Sequence, residues 1–178
     1  MRIEGAKWDL GGVKWRNAAN SGCAEMGSRR WRTVFLGTHT PRLDDKGRIF
    51  LPAKFRAAFA DGIVVTTGQE RCLYVFTTAE FERISAEMMR APSSAKTVRD
   101  FVRIFRASAS DEAPDRQGRL TIPLALRQYA NITRECAVLG NGNRLEIWDL
   151  AAWEAYREEI MPAYSDYSVP TEEVVPGL

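Results

Sequence analysis

Apolar and polar positions alternate at a period of two in two short runs, "RIFLP" (Arg48 to Pro52) and "RLTIP" (Arg119 to Pro123). Such alternation predicts half-buried strands. Each run follows a turn dipeptide, Lys46-Gly47 or Gln117-Gly118, in which glycine supplies a positive φ. Each ends in a proline suited to the first turn of a helix, and the helix formers "AKFRAAF" and "LALRQYA" follow. Continuous apolar runs, "GIVVTTG" and "ECAVLG", predict buried strands. They lead through turns at Gly68-Gln69-Glu70 and Gly140-Asn141-Gly142-Asn143 into returning strands, "CLYVF" and "RLEIW". Helical periodicity then sets in at "TTAEFERISAEMM" and "DLAAWEAYREEI", with Thr77 and Asp149 placed as N-caps and Glu80 completing a capping box after Thr77. Ahead of the first unit, Phe35 to Leu43 reads as an edge strand broken by Pro41.

The same order of elements therefore occurs twice. An offset of 71 positions lays Asp44 on Asp115, Gly47 on Gly118, Arg48 on Arg119, Pro52 on Pro123 and Arg56 on Arg127. After one inserted residue, Gly68 falls on Gly140, Leu73 on Leu145, Val75 on Ile147, Phe76 on Trp148 and Phe81 on Trp153. Two copies are too few for a solenoid. The expectation is a β-rich α+β fold, a pseudo-symmetric pair of small units around one core. The expected boundaries are repeat 1 at 38–82, a linking segment at 83–109, repeat 2 at 110–153, and a helix end with an acidic, disordered tail at 154–178. In the linking segment "APSSAK" breaks the chain. "TVRDFVRIFRAS" then forms an amphipathic helix with Val98, Phe101, Val102 and Phe105 on one face.

The 178 residues are 45% hydrophobic, enough for a core, and the formal net charge of +2 says little about partners. Its distribution says more, because residues 1–33 hold Arg2, Lys7, Lys14, Arg16, Arg29, Arg30 and Arg32 against three acids. No apolar run approaches the roughly 18 residues of a membrane helix, and the N-terminus lacks a secretory pattern, so a cytoplasmic location without membrane contact is expected. Cys23, Cys72 and Cys136 are far apart and form no C-x-x-C pair, which speaks against disulfides and zinc; Cys72 and Cys136 read as small core residues. The single histidine, His39, precedes the repeat and reads as a strand-surface residue. Gly140-x-Gly142 opens no helix, and Glu158-Glu159 fit a solvated helix face. No catalytic residue, metal or cofactor is expected, and the chain does not read as an enzyme.

What remains is the doubled Asp-x-x-x-Arg turn. Asp44 with Arg48 and Asp115 with Arg119 would pair across each turn in the simplest structural reading. In the functional reading, pseudo-symmetry brings Arg48 and Arg119, with Lys46, Arg42 and Arg116, onto one face. Such a face suits phosphates, and arginine reads guanine bidentately.

"FLGTHTPRLDDKGRIFLPAKFR", "DRQGRLTIPLALRQYA" and "LEIWDLAAWEAY" together resemble the MraZ family, two-copy members of the AbrB-like (SpoVT-AbrB) superfamily, from Val34 to about Ile160. The resemblance implies swapped hairpins forming a barrel within one chain, and self-association into a ring-shaped homo-oligomer. It further implies binding of double-stranded DNA at short G-rich promoter direct repeats, and control, most simply repression, of the bacterial division and cell-wall gene cluster from the nucleoid. Arg48 and Arg119 take the DNA-contacting positions, and Lys46 the basic position beside the first. Gln117 departs from a lysine-like residue, which implies unequal halves. Asp44, Gly47, Asp115 and Gly118 shape the turns. The alternative is a protein-interaction module of the antitoxin-like kind. Residues 1–33 precede the resemblance. They are expected to be upstream sequence translated from a start codon placed too early, the alternative being a basic arm on phosphates.

Overall fold

The computed structural model describes residues 34–90 and 94–166. The expectations for residues 1–33, for part of the break at "APSSAK" and for the tail beyond Asp166 lie outside the described residues. Strand β1 (Phe35–His39) is followed by β2 (Arg48–Phe50), helix α1 (Ala53–Arg56) with a 3₁₀ turn at Ala57–Phe59, the hairpin β3 (Ile63–Thr67) and β4 (Leu73–Thr77), and helix α2 (Thr78–Arg90). Helix α3 (Lys96–Ala107) leads into β5 (Ser110–Glu112), β6 (Arg119–Thr121), α4 (Leu124–Tyr129), the hairpin β7 (Cys136–Gly142) and β8 (Arg144–Asp149), and α5 (Leu150–Ser165).

The strands form two antiparallel ladders. One is a six-stranded sheet in the order β1-β7-β8-β4-β3-β5, and the other is a ribbon of β2 and β6. The pairing crosses between the repeats. Strand β1 pairs with the second hairpin and β5 with the first, while Ile49 of β2 faces Leu120 of β6. Neither unit therefore completes its ladders alone. The alternating runs explain the ribbon: Ile49, Leu51, Leu120 and Ile122 are all buried, while Phe50 and Thr121 face out. Their side chains share one core with Phe35, Phe55, Phe59, Val65, Val75, Val138, Leu145 and Ile147, so sheet and ribbon close over the same apolar interior.

Several local expectations are refined. Pro52 and Pro123 stand at the N-cap positions, with extended ψ of 133° and 144°, one residue before the helices begin. Strand β7 continues through Gly140 and Asn141, leaving a tight turn at Gly142-Asn143. A side chain at Gly140 would meet the Leu36 backbone nitrogen at 2.3 Å, so this glycine lets β1 lie close against β7. Helix α5 runs past Met161 and through Pro162 to Ser165, beyond the end expected for it. His39 is half-buried instead of lying on the strand surface; its ring stands edge-on to Phe55 with centroids 5.6 Å apart. On α3 only Phe105 is buried, and Phe101 is 48% exposed, so the covered stripe is narrower than the apolar pattern.

Thr77 and Asp149 cap α2 and α5 as expected, accepting the backbone N–H of Glu80 and of Ala152, each at 3.2 Å. Cys72 and Cys136 are free and buried. Burial pushes both thiols up, Cys136 to about 11 and Cys72 further still, so neither carries thiolate at neutral pH. No helix among the described residues is long and apolar enough to cross a membrane.

Candidate nucleic-acid interface

The two charged turns are built identically. Asp44 Oδ1 accepts the backbone N–H groups of Lys46 and Arg48, both at 2.9 Å, an Asx arrangement that closes the turn on its own side chain. Gly47, at φ 74°, donates its N–H to the Asp44 carbonyl at 2.9 Å. Asp44 Oδ2 accepts from Arg48 Nε at 2.8 Å and Nη2 at 2.6 Å. In the second turn Asp115 Oδ1 accepts from Gln117 at 2.9 Å and Arg119 at 3.0 Å. Gly118 has φ 76°, and Arg119 reaches Asp115 Oδ2 through Nε at 2.7 Å and Nη2 at 2.6 Å. Aspartate serves at this position because one carboxylate both accepts the turn's N–H groups and holds the guanidinium.

The turns are also neighbours. Arg48 Nη1 lies 4.0 Å from Asp115 Oδ2, so the guanidinium of one turn faces the carboxylate of the other. The hydrogen bond from each arginine, followed by its backbone N–H groups, holds both aspartates well below the ordinary carboxylate range, at about 2. Because the folded values lie below the unfolded one, the stabilisation from these pairs is fully present above the ordinary carboxylate range. It is lost as pH falls through about 2.

A second pair of arginines, to which sequence reasoning gave no role, ties the turns together. Arg56 Nε donates to its own Leu51 carbonyl at 2.9 Å while lying against the Gly118 turn of the other repeat. Arg127 does the same in reverse, donating to Ile122 at 3.0 Å and lying against Gly47. A Cβ on Gly47 would fall 2.8 Å from Arg127 Cζ, and one on Gly118 would fall 2.5 Å from Arg56 Nε. The backbones cross as well, with Ile122 N–H donating to the Gly47 carbonyl at 2.8 Å and Leu51 N–H to the Gly118 carbonyl at 3.1 Å. The signal for this pair was present in the sequence: Arg56 and Arg127 follow their turn arginines at the same spacing in both copies.

The expected site residues do not all come together. Arg48 and Arg119 sit side by side, each with 22% of its side chain exposed. Lys46 and Arg116 stand exposed on the same turns. Arg42 instead pairs with Glu135 of the second repeat at 2.9 Å. The surroundings of the two turns also differ, since exposed Phe50 lies beneath Arg119 at 6.0 Å, whereas Thr121 faces Arg48 across the ribbon. Among the described residues no cluster of His, Cys, Asp or Glu is arranged to hold a metal ion.

Comparison with known proteins fits this doubled architecture. A family sequence model described as "MraZ protein, putative antitoxin-like" matches twice, at residues 34–104 and 105–168. A protein of Kocuria rhizophila named Transcriptional regulator MraZ is 57% identical over 145 residues, covering 82% of this chain and 99% of the relative. Proteins of the same name from Kineococcus radiotolerans and Frankia alni are 54% and 57% identical over the same shares. Two matched repeats and identity of this extent make the chain a member of the MraZ family.

Proposed function

We infer that the chain is a sequence-specific DNA-binding transcriptional regulator, without enzymatic activity or cofactor, and that its two Asp-x-x-x-Arg turns form the reading surface. The observation that carries this reading is the side-by-side placement of two preorganised guanidiniums. Asp44 and Asp115 occupy the Nε–Nη2 edge of each arginine, which leaves the Nη1–Nη2 end of each guanidinium unclaimed by its own turn's aspartate, with Arg48 Nη1 4.0 Å from Asp115. That end presents two parallel N–H donors, the match for O6 and N7 of guanine in the major groove. Fixing the guanidinium beforehand removes ordering cost at binding. Lys46 and Arg116 supply phosphate contacts that set register without reading sequence. The naming of relatives as transcriptional regulators supports the same conclusion.

The finer features follow from family resemblance. Sheet and ribbon together are a swapped-hairpin barrel. The protein acts in the nucleoid as a ring-shaped oligomer on short G-rich direct repeats upstream of its own operon, repressing the division and cell-wall cluster. The family's antitoxin-like description supports a second reading, a module whose target is another protein.

Titration of DNA from upstream of the chain's own gene, at fixed salt, separates the two readings. Arg48→Ala is expected to lose roughly ten- to a hundredfold in affinity with the fold intact, because a bidentate base contact is removed. Arg119→Ala loses less, since Gln117 stands where the first turn has Lys46. Lys46→Ala lowers the slope of affinity against salt by about one ion. Unchanged affinity in Arg48→Ala would sink the site assignment, and no specific binding by the wild-type chain would favour the protein-interaction module.

A further inference from the structure

The outward face of the β2–β6 ribbon is a tile with four corners. Residues two apart on a strand share a face, and so do residues directly opposite on a paired strand. Arg48 and Phe50 are two apart on β2, and Arg119 and Thr121 are two apart on β6. The register sets Arg48 opposite Thr121 and Phe50 opposite Arg119. The two arginines therefore take one diagonal of the tile, and Phe50 and Thr121 take the other. Ile49 and Leu120 point the opposite way, into the core. The turns at the ends of the tile are alike, but its second diagonal is not. Where one corner has an exposed threonine, the other has an aromatic ring that is 52% exposed.

Phe50 takes no part in the core, which Ile49, Leu51, Leu120 and Ile122 close beneath it. Its ring lies under Arg119, whose Cζ stands 6.0 Å from the ring centroid. A single exposed phenylalanine is ordinary on a protein surface. The setting gives this one a role. A two-stranded ribbon fits the major groove of DNA, and the face turned away from the core is the one that enters. Base edges there present hydrogen-bonding groups, which arginine and threonine can use and phenylalanine cannot. The apolar feature in that groove is the C5 methyl of thymine. Ring and guanidinium are 6.0 Å apart, against about 3.4 Å between successive bases, so the ring reaches a base one or two steps from the guanine met by Arg119.

We propose that Phe50 is a specificity-determining residue whose ring packs on the C5 methyl of a thymine, one or two steps from the guanine read by Arg119. The proposal rests on the DNA-reading surface inferred above and adds a second kind of base to it. A cytosine in the same place lacks the methyl and presents its N4 donor, which the ring would cover without giving it a partner. The two corners of the tile thereby recognise different things. Beside Arg48, the short side chain of Thr121 carries both a methyl and a hydroxyl, so it accepts either kind of edge. Beside Arg119, Phe50 accepts the methyl alone.

Base-analogue substitution tests it on the full chain, with duplex DNA from upstream of the chain's own gene at fixed salt. Replacing each thymine in turn by deoxyuridine removes the methyl and keeps the base pairing. One such replacement, near a guanine, should weaken wild-type binding about three- to fivefold. Phe50→Thr should bind the thymine and the deoxyuridine duplexes equally, and its thermal melting should match wild type because the side chain lies outside the core. With cytosine placed at that position, 5-methylcytosine should recover part of the lost affinity for wild type and none for Phe50→Thr. Thr121→Phe should gain a second methyl-sensitive thymine, near the guanine of Arg48. Replacing guanines by 7-deazaguanine, which lacks N7, checks the arginines separately. Sensitivity to 7-deazaguanine without sensitivity to any deoxyuridine would overturn the role of Phe50 and leave the reading surface standing. Equal sensitivity to deoxyuridine in wild type and Phe50→Thr would give the methyl to another side chain and overturn the proposal. Indifference of the wild type to both analogues would overturn the reading surface and the role of Phe50 together.

Discussion

The turn at Asp44–Arg48 and the turn at Asp115–Arg119 share every side-chain hydrogen bond to within about 0.1 Å, yet the helices that follow the two hairpins have diverged. Helix α2 lies under α3, whereas α5 carries an open aromatic cleft. The turns are locked because they interlock: each repeat's arginine rests on the other repeat's glycine, so a change in one turn has to be answered in the other. The outer helices are not interlocked in this way: α2 reaches the second half through Glu80, which accepts from Asn143 Nδ2 at 2.6 Å, and the cleft beside α5 is walled in part by Tyr74 of the first half. Sameness marks the turns that both halves build together, and difference marks the surfaces that face elsewhere.

The seam between the halves gives the largest expected effect. Ile49 and Leu120 face one another across the ribbon, and both are fully buried. Ile49→Ala and Leu120→Ala should each cost about 2–5 kcal/mol in chemical denaturation, through lost transfer energy and the cavity left behind. Because the residues touch, the double variant should cost less than the sum. A loss below about 1 kcal/mol for either would show that this half does not share the core.

The turn glycines come next. Ala at a positive φ costs about 1–2 kcal/mol. In Gly47→Ala the new methyl also displaces Arg127, and in Gly118→Ala it displaces Arg56. Both displaced groups are the ends of flexible side chains, so the fold survives, and the damage passes to the opposite turn. Amide shifts are therefore expected to be larger at Pro123–Arg127 than at Pro52–Arg56 for Gly47→Ala, with the reverse for Gly118→Ala. Shifts confined to the mutated repeat would remove the interlock from the account.

Much of this arrangement is legible in the sequence, because the repeat puts its signals in register. The strands at Arg48–Phe50 and Arg119–Thr121 follow from alternation, the turns from Gly47 and Gly118, and the caps from Thr77 and Asp149. What stays hidden is pairing across the repeats. Period-two alternation says that Ile49 is buried, but it does not say that Leu120 is its partner. Spacing likewise marks Arg56 and Arg127 as repeated without showing that each reaches the other turn. Arg42 reads as one more basic group near the site, and only the long-range bridge to Glu135 shows where its charge is spent. Glu146 is silent in the sequence because its counterpart is Tyr74; its carboxylate is buried only because Asn141, Arg144 and Trp148 converge on it.

The smallest effect separates the outer helices by their caps. Thr77→Ala and Asp149→Ala each remove one side-chain acceptor from a helix N-terminus, worth about 1 kcal/mol. For a chain of this size that is a shift of about 2–4 °C in Tm if the helix melts with the rest. Helix α2 is tied to the core through Phe81, Phe105 and Phe76, so Thr77→Ala should appear in the global transition. Helix α5 is tied mainly by Trp153 and Tyr156 to Trp148, and its second half carries only exposed residues. Asp149→Ala should therefore leave Tm nearly unchanged and speed hydrogen exchange along α5. Equal losses of Tm in the two variants would show instead that α5 melts with the core as α2 does.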